Sequence, residues 1–345
     1  MIPLSRSAGP AQNAGISNIN AQMRNIYPSA VFVALSGVEG QENKEIMKRI
    51  LNLFTIIAAT IILFGCGNND NKTSSGKITA VSSITIINDI VKNIGGDKVD
   101  ATSICGVGLD PHTYKPKPND PRLVSESDLV FINGFALEHW IEEMVHNAGG
   151  NKTVVTVSNG LTPMTDEKGF GDPDPHAWFN VQFVKTYASN IAKAFIEKDK
   201  PNEEYYNNNL ASYTKKLDSL DSWIKTEIQK IPAEKRVLIT SHDAFRYFGK
   251  AYGFEVRGLQ GISTEAKAQT EDVKKLIDLI KERKLNSVFI ETSVNPKLLE
   301  EISRETGAKV GGTLFSDSVG DEGTVEGTYI GALTHNVNTI VNALK

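Results

Sequence analysis

The chain has 345 residues, of which 40% are hydrophobic and 23% are charged, and its formal net charge at pH 7 is -4. This is the composition of an ordinary soluble globular protein, and its mild acidity excludes the basic surface by which proteins bind nucleic acids. The two cysteines, Cys66 and Cys105, are too few for a disulfide framework or a four-thiolate zinc site. Any metal site must therefore use nitrogen and oxygen ligands.

The first clear signal along the chain begins at Met47, where two basic residues precede an apolar run that ends at Gly65. A positive start, an apolar stretch of this length and a small residue before the cleavage point are typical of a secretory signal peptide, which we assign to residues 47–65. Residues 1–46 precede this signal and show no periodic pattern. We therefore predict that they are a non-native or disordered extension and that Met47 is the true start.

The end of the apolar run, Leu63-Phe64-Gly65-Cys66, resembles a bacterial lipobox, in which the cysteine is acylated and becomes the mature N-terminus. Phe64 is bulkier than the residue usual at that place, and a plain signal peptide or an uncleaved anchor are the alternatives. Residues 66–76 are polar and predict a flexible tether. We expect the protein to be held on the outer, periplasmic side of the bacterial cell membrane by a lipid on Cys66.

From Lys77 onward, apolar strand-like runs alternate with helical stretches. The strands predicted in the first half are residues 78–81, 99–104, 129–133 and 152–157. A helix is predicted at 84–94, where two glycines follow as a stop signal. Strands separated by helices indicate parallel β/α units. Residues 77–180 are therefore predicted to form an N-terminal β/α lobe.

Two long helical patterns, 181–198 and 202–229, occupy the middle of the chain. The second carries one apolar stripe and would be about 40 Å long. We predict that residues 181–230 are a helical region whose long rigid helix bridges two lobes. The alternation then resumes, so residues 231–345 are predicted to form a C-terminal β/α lobe. Its predicted strands are residues 236–240, 287–291 and 309–311, and its predicted helices are 271–283, 296–306 and 324–344.

Histidines follow several of these strands. An Asp-Pro-His triplet occurs twice, ending at His112 and at His176. Proline fixes its own φ and extends the preceding residue, so each histidine is expected on a stiff loop where β/α folds present ligands. His242 and Asp317 also follow strands, so each half supplies two candidates. Three imidazoles and one carboxylate suit divalent ions such as Zn²⁺ and Mn²⁺, while surface or capping histidines are the alternative.

Six segments around and between these residues form a longer pattern. They are Gly108-Leu109-Asp110-Pro111-His112-Thr113-Tyr114, Asp174-Pro175-His176-Ala177-Trp178-Phe179, His242-Asp243-Ala244-Phe245-Arg246-Tyr247-Phe248, Gln260-Gly261-Ile262-Ser263-Thr264, Leu314-Phe315-Ser316-Asp317 and Glu326-Gly327-Thr328-Tyr329. In this order they closely resemble the metal-specific solute-binding proteins of bacterial ABC importers, the zinc and manganese cluster that includes the treponemal-type receptor. The resemblance covers essentially the whole body from Lys77.

The resemblance implies an α/β fold of two lobes bridged by a rigid helix, with Zn²⁺ or Mn²⁺ in the cleft between them. By motif it maps the ligands onto His112, His176, His242 and Asp317. It also implies that the ion is captured for an ABC permease and its ATPase, without catalysis. We expect a monomer that binds no nucleic acid.

Two differences from other members of that family bear on which ion is bound. Manganese-dedicated members often carry Glu at the third ligand position, where this chain has His242. Many zinc-dedicated members carry a long His-rich loop between the first two ligands, whereas residues 162–172 contain no histidine. The chain therefore resembles the branch with three histidines and no such loop, whose members take zinc, manganese or both.

The other histidines and Cys105 are expected to be structural. His139 and His146 lie on a helical stretch and His335 in the last helix, which favours surface or packing roles. Cys105 ends an apolar strand and is expected to be a small buried hydrophobe. Glu291 also ends a strand and is expected either to orient a ligand imidazole through its free N–H, or to cap a helix or form a salt bridge.

Two other functions fit parts of the pattern: a zinc-dependent hydrolase and a surface adhesin lipoprotein. Catalytic zinc keeps an open position for water with a base nearby, whereas four protein ligands close the shell. The sequence has neither a His-Glu-x-x-His helix nor a Gly-x-Ser-x-Gly elbow. Nothing in it indicates a ligand for host molecules, so metal capture is the preferred hypothesis.

Overall fold

The computed structural model describes residues 76–148, 152–165 and 173–345. The extension predicted at 1–46, the signal peptide predicted at 47–65, Cys66 and all but the last residue of the tether at 66–76 lie outside these described residues. Among the described helices, none is both long enough and apolar enough to cross a membrane.

The first half of the body is a parallel sheet with helices between its strands. The strands are β1 (Ile78–Ile84), β2 (Val99–Cys105), β3 (Leu129–Ile132) and β4 (Thr153–Thr156). They pair in the order β2-β1-β3-β4, and every pairing is parallel, because each connection crosses back over the sheet. The helices between them are α1 (Thr85–Gly95), α2 (Asp120–Glu126) and α3 (His139–Asn147).

Two long helices follow, separated by a short 3-10 turn that contains Pro201. They are α4 (Val181–Lys198) and α5 (Glu203–Ile228). The side chain of Asn180 caps α4 by accepting a hydrogen bond from Gln182 N, at 3.0 Å. Helix α5 has 26 residues. At about 1.5 Å per residue its length is about 39 Å, as predicted.

The second half repeats the arrangement of the first. Its strands are β5 (Val237–His242), β6 (Glu255–Gln260), β7 (Ser287–Glu291) and β8 (Lys309–Leu314). They pair in parallel in the order β6-β5-β7-β8. Its helices are α6 (Arg246–Tyr252), α7 (Thr270–Arg283), α8 (Lys297–Thr306) and α9 (Tyr329–Leu344). The predicted α/β class with two parallel sheets is confirmed.

Helix α5 links the two halves, since it packs on α1 and α4 on one side and on α6 and α9 on the other. One hydrophobic core runs through both halves, and it includes Phe131 and Phe195 from the first and Phe245 and Phe289 from the second. Each of these rings is fully buried, which contributes about 1.5–3 kcal/mol per side chain. The shared core fixes the position of one sheet relative to the other. The limits assigned to the lobes stay predictions.

Strand β6 was not predicted, because its sequence Glu-Val-Arg-Gly-Leu-Gln lacks a continuous apolar pattern. It is an edge strand, and only Leu259 in it is buried. Gly258 has a specific place there: a Cβ at that position would collide with the backbone of His242 and Asp243. The glycine thus allows β6 to lie directly against the segment that carries one candidate ligand.

Helix α9 begins at Tyr329 and not at 324 as predicted. The residue before it, Thr328, caps the helix by accepting a hydrogen bond from Gly331 N at 3.0 Å. The preceding residues form a turn in which Thr324 N donates to Asp321 O, at 3.1 Å. A side chain that caps the first turn sets the helix start, and this outweighs the apolar periodicity on which the prediction rested.

Candidate metal centre

The four predicted ligands all lie at or beyond the carboxyl ends of strands. His112 lies in the loop after β2, and His176 lies in the segment after β4. His242 is the last residue of β5, and Asp317 lies just beyond β8. The carboxyl ends of parallel strands lie at one edge of their sheet. Each half therefore places two of these side chains at the carboxyl edge of its own sheet. The structure brings all four together, as predicted.

Their ligand atoms lie within 4.8 Å of one another. The Nε2 atom of His176 is 3.2 Å from Nε2 of His112 and 3.2 Å from Nε2 of His242. The Oδ1 atom of Asp317 is 3.4, 3.6 and 3.9 Å from the Nε2 atoms of His176, His242 and His112, respectively. Ligands bound tetrahedrally to one ion at about 2.0–2.2 Å would lie about 3.3–3.6 Å apart. The cluster therefore has the dimensions of a four-coordinate site.

The carboxylate of Asp317 is oriented by two hydroxyl groups. Its Oδ2 atom accepts hydrogen bonds from Ser293 Oγ, at 2.7 Å, and Ser316 Oγ, at 3.0 Å. Its Oδ1 atom is buried and faces the three imidazoles, of which the nearest nitrogen, His176 Nε2, lies 3.4 Å away. Because a buried anionic oxygen is costly unless it is paired, this atom fits a ligand for a cation.

Each Asp-Pro-His triplet uses its aspartate to shape the loop. Asp110 Oδ1 accepts a hydrogen bond from His112 N at 2.9 Å, and Asp174 Oδ1 accepts one from His176 N at 3.0 Å. Asp174 also contacts the imidazole itself, because the same oxygen lies 2.9 Å from His176 Nδ1. This contact favours a proton on Nδ1 and leaves Nε2 free to bind an ion.

Glu291 performs the equivalent task for His242. Its Oε1 atom accepts a hydrogen bond from His242 N at 2.9 Å, and its Oε2 atom lies 2.6 Å from His242 Nδ1. The carboxyl group is buried. Of the roles expected from the sequence, the structure supports that of orienting the imidazole.

The electrostatic environment differs among the three imidazoles. Burial disfavours the charged form of His242, but Glu291 and Asp317 outweigh this effect and raise its pKa well above the ordinary value. Burial is likewise outweighed at His176, where hydrogen bonds to Asp174 and Asp317 raise the pKa. Burial prevails at His112 and lowers its pKa to about 3.

Asp317 is held ionised in this environment. Burial alone would raise its pKa, but the charge of His242 and the hydrogen bond with His176 lower it well below the usual value. A carboxylate and a protonated imidazole thus share the centre when no metal is bound. An entering ion must displace at least one proton.

Hydrogen bonds between the halves hold the ligand loops. Thr264 Oγ1 donates to Asp110 Oδ2 at 2.5 Å, which ties the loop of His112 to the second half. Tyr247 OH donates to Asp174 O at 2.9 Å. Trp178 Nε1 donates to Ser316 O at 3.0 Å. The positions of His176 and Asp317 therefore depend on both halves.

The residues predicted to be structural lie outside the cluster. Cys105 is 2% exposed, and burial raises the pKa of its thiol to about 12, as expected of a small buried hydrophobe. His335 Nε2 lies 3.1 Å from Thr313 O, and His146 is exposed on α3. Sequence reasoning missed Ser293, whose only signal was its polar character two residues beyond a buried strand.

The family model described as "ZnuA: Zinc-uptake complex component A periplasmic" matches residues 80–343. The chain belongs to the ZnuA family. This ZnuA-family chain is 38% identical over 308 residues to the manganese ABC transporter substrate-binding lipoprotein PsaA of Streptococcus anginosus. The aligned residues cover 87% of this chain and 100% of PsaA. It is also 38% identical over 302 residues to the manganese-binding lipoprotein MntA of Bacillus subtilis, with 84% of this chain and 97% of the relative covered.

Solved structures agree with this assignment to the ZnuA family. The periplasmic zinc binding protein TroA from Treponema pallidum superposes with a TM-score of 0.75 at 38% identity, covering 78% of this chain and 99% of TroA. A manganese-bound periplasmic metal binding protein from Candidatus Liberibacter asiaticus superposes with a TM-score of 0.72 at 28% identity, covering 78% of this chain and 100% of that chain. The resemblance stated from the motifs is thereby confirmed.

Proposed function

We propose that this protein captures Zn²⁺ or Mn²⁺ outside the cytoplasm, as a monomer, and delivers it to an ABC permease driven by an ATPase. The ligands in this proposal are His112, His176, His242 and Asp317. The observation that carries it is the convergence of three Nε2 atoms and one unpartnered carboxylate oxygen within 4.8 Å. Imidazole and carboxylate ligands suit both ions. The names of PsaA, MntA and TroA, which state manganese transport, manganese binding and zinc binding, support the same role.

Carriage is favoured over hydrolysis by what surrounds the cluster. Four protein ligands would fill the shell of a tetrahedral ion, whereas catalytic zinc keeps a position for water. Two further carboxylates, those of Asp174 and Glu291, each lie beside an imidazole Nδ1, at 2.9 and 2.6 Å. They are thus placed to orient ligands, not to activate a water molecule.

A titration tests the proposal directly. Protein stripped of metal by a chelator is titrated with Zn²⁺ and with Mn²⁺ in a calorimeter, and one ion should bind per chain. The loaded protein is then assayed with ester and amide substrates, for which no turnover is expected. Failure to bind either ion would refute metal capture, and turnover abolished by removing the metal would favour the hydrolase.

Metal affinity should fall as the pH is lowered. The pKa of His242 is raised well above its ordinary value, so this group holds a proton at neutral pH in the metal-free protein, and the pKa of His176 is also raised. Each proton that the ion displaces reduces the apparent affinity about tenfold for each pH unit lowered. Competition titrations from about pH 8 to about pH 5 measure this slope. The same affinity at both ends of the range would contradict the three-histidine site.

We also propose that Cys66 carries a lipid, a role supported by the lipobox-like sequence and by relatives that are named lipoproteins. In a bacterial host fed a clickable fatty acid, Cys66→Ala should abolish labelling and release the protein from the membrane fraction. The matched control is Cys105→Ala, which removes the other cysteine and should leave labelling unchanged. Full labelling of Cys66→Ala would show that the lipid is elsewhere.

A further inference from the structure

A cleft of about 610 Å³ opens beside the metal centre. At about 30 Å³ per water molecule it has room for about 20 waters, far more than one ion requires. His112 lines this cleft, whereas His176, His242 and Asp317 are not among its lining residues. His112 also has a side-chain exposure of 5%, against 0% for the other three. An ion that enters by the cleft therefore meets His112 before the other three ligands.

His139 lines the same cleft and is exposed. It is the first residue of α3, and the turn before it is strained, because Phe135 and Ala136 have φ values of 53° and 60°. Non-glycine residues in this left-handed region cost about 1–3 kcal/mol each and persist only where their surroundings fix them. Such strain is concentrated at ligand-binding and switch regions.

Glu138 fixes this turn from inside the protein. Its buried carboxylate accepts hydrogen bonds from Asn133 N at 2.6 Å, from Gly134 N at 3.1 Å and from Ser83 Oγ at 2.6 Å. Because Glu138 directly precedes His139, the backbone that carries the imidazole is held firmly at the wall of the cleft.

Trp140, on the other side of His139, is tied to the loop of His112. Its Nε1 atom donates to Pro111 O at 2.9 Å, and its ring lies 4.7 Å from that of Tyr114. These contacts hold the start of α3 beside the segment that bears the first ligand. The imidazole of His139 itself makes no hydrogen bond to any described residue, so its nitrogens are open to solvent and ions.

The charges of the cleft nearly cancel. Its lining contains two cationic side chains, Arg246 and Arg257, and two carboxylates, Asp243 and Glu265, and Arg246 lies 3.7 Å from the carboxylate of Asp243. A wall of paired charges gives little electrostatic attraction for a cation. A group at the wall that binds the ion directly would therefore speed its entry, and an exposed imidazole is such a group.

We propose that His139 is a transient ligand that takes the entering dication from water and passes it to His112. This inference rests on the proposed function of metal capture. In the first step, an imidazole nitrogen of His139 replaces one water of the hydrated ion. In the second, His112 replaces His139 while the ion moves inward to the other three ligands. His139 does not belong to the final coordination shell.

Stopped-flow loading with Co²⁺ tests this, because the visible absorption of the ion changes when it enters a shell of imidazole and carboxylate ligands. For His139→Gln, the rates of loading and release should both fall about tenfold, within the range that single mutations change association rates. The dissociation constant should stay unchanged, since a transient ligand lowers the barrier in both directions. His139→Asp should restore fast loading, because a carboxylate also binds the ion.

The matched control is His146→Gln, which removes an exposed histidine from the same helix but outside the cleft lining. It should load at the wild-type rate. Loading of His139→Gln at that same rate would overturn the relay and leave metal capture intact. A weakened dissociation constant with an unchanged loading rate would also overturn it, by making His139 a permanent ligand. A wild-type protein that takes up no metal would overturn both proposals.

Discussion

Replacing His242 with alanine is expected to lower the affinity for Zn²⁺ or Mn²⁺ by about 10²–10³-fold. The binding free energy of a four-ligand zinc site is about 10–16 kcal/mol, so one ligand contributes about 3–4 kcal/mol, which corresponds to that factor. The Nε2 atom of His242 lies 3.2 Å from that of His176 and 3.6 Å from Asp317 Oδ1, so its loss removes one of the four clustered ligand atoms. Competition with a chromophoric chelator measures the loss.

The variant should still fold. The hydrogen bond from the backbone N–H of residue 242 to Glu291 does not involve the side chain that is removed, and His242 lies outside the apolar core that joins the halves. Circular dichroism checks this point. His335→Ala is the control, because His335 contacts Thr313 O, does not belong to the cluster, and its loss should leave affinity unchanged. Full affinity in the His242 variant would remove the basis of the proposed site.

Changing Glu291 to glutamine should lower metal affinity by about 10–100-fold, the usual effect of removing a group that orients a ligand. Glutamine keeps the volume and can still accept the hydrogen bond from His242 N. It loses the negative charge that lies 2.6 Å from His242 Nδ1, so the imidazole is no longer held with its proton on that nitrogen. Chelator competition against the wild type measures the change.

The pH dependence separates this positioning role from a general structural defect. Glu291 is the largest of the influences that raise the pKa of His242, so in Glu291→Gln that pKa should fall and the ion should displace fewer protons. The affinities of variant and wild type should therefore converge as the pH is lowered. A constant ratio from about pH 8 to about pH 5 would contradict this explanation. Glu282→Gln, which changes an exposed residue of α7, is the control.

Regular periodicity made much of the fold predictable from the sequence. Helix α4 and strand β7 have the limits that were predicted, 181–198 and 287–291, because each is a continuous pattern with a clear boundary. Strand β6 was missed because its pairing depends on Gly258 lying against the backbone of β5. That close approach is a tertiary contact, and the local sequence carries no pattern that predicts it. The short helices α2 and α6 were missed because they are too short to show a clear helical periodicity.

The candidate site was predictable to a different degree. His112 and His176 were found because Asp-Pro-His fixes a loop locally, and His242 and Asp317 because they follow strands. The groups that orient them could not all be found in the same way. Ser293 reaches Asp317 from the segment after strand β7, and Thr264 reaches Asp110 from the other half of the chain. Such hydrogen-bond partners are brought together only when the chain folds, so the local sequence does not indicate them.

The single core that runs through both halves limits how the ion can leave. Separating the sheets widely enough to expose about 400 Å² of that core would cost about 10 kcal/mol, so a broad hinge motion is a poor exit route. Release must then come from small shifts of the loops, and the most exposed ligand loop is tied to the opposite half by the contacts of Asp110 with Thr264 and of Gly108 with Ser318. The residence time of the cargo is therefore set by a few loop hydrogen bonds, which a docking permease could break by a local push.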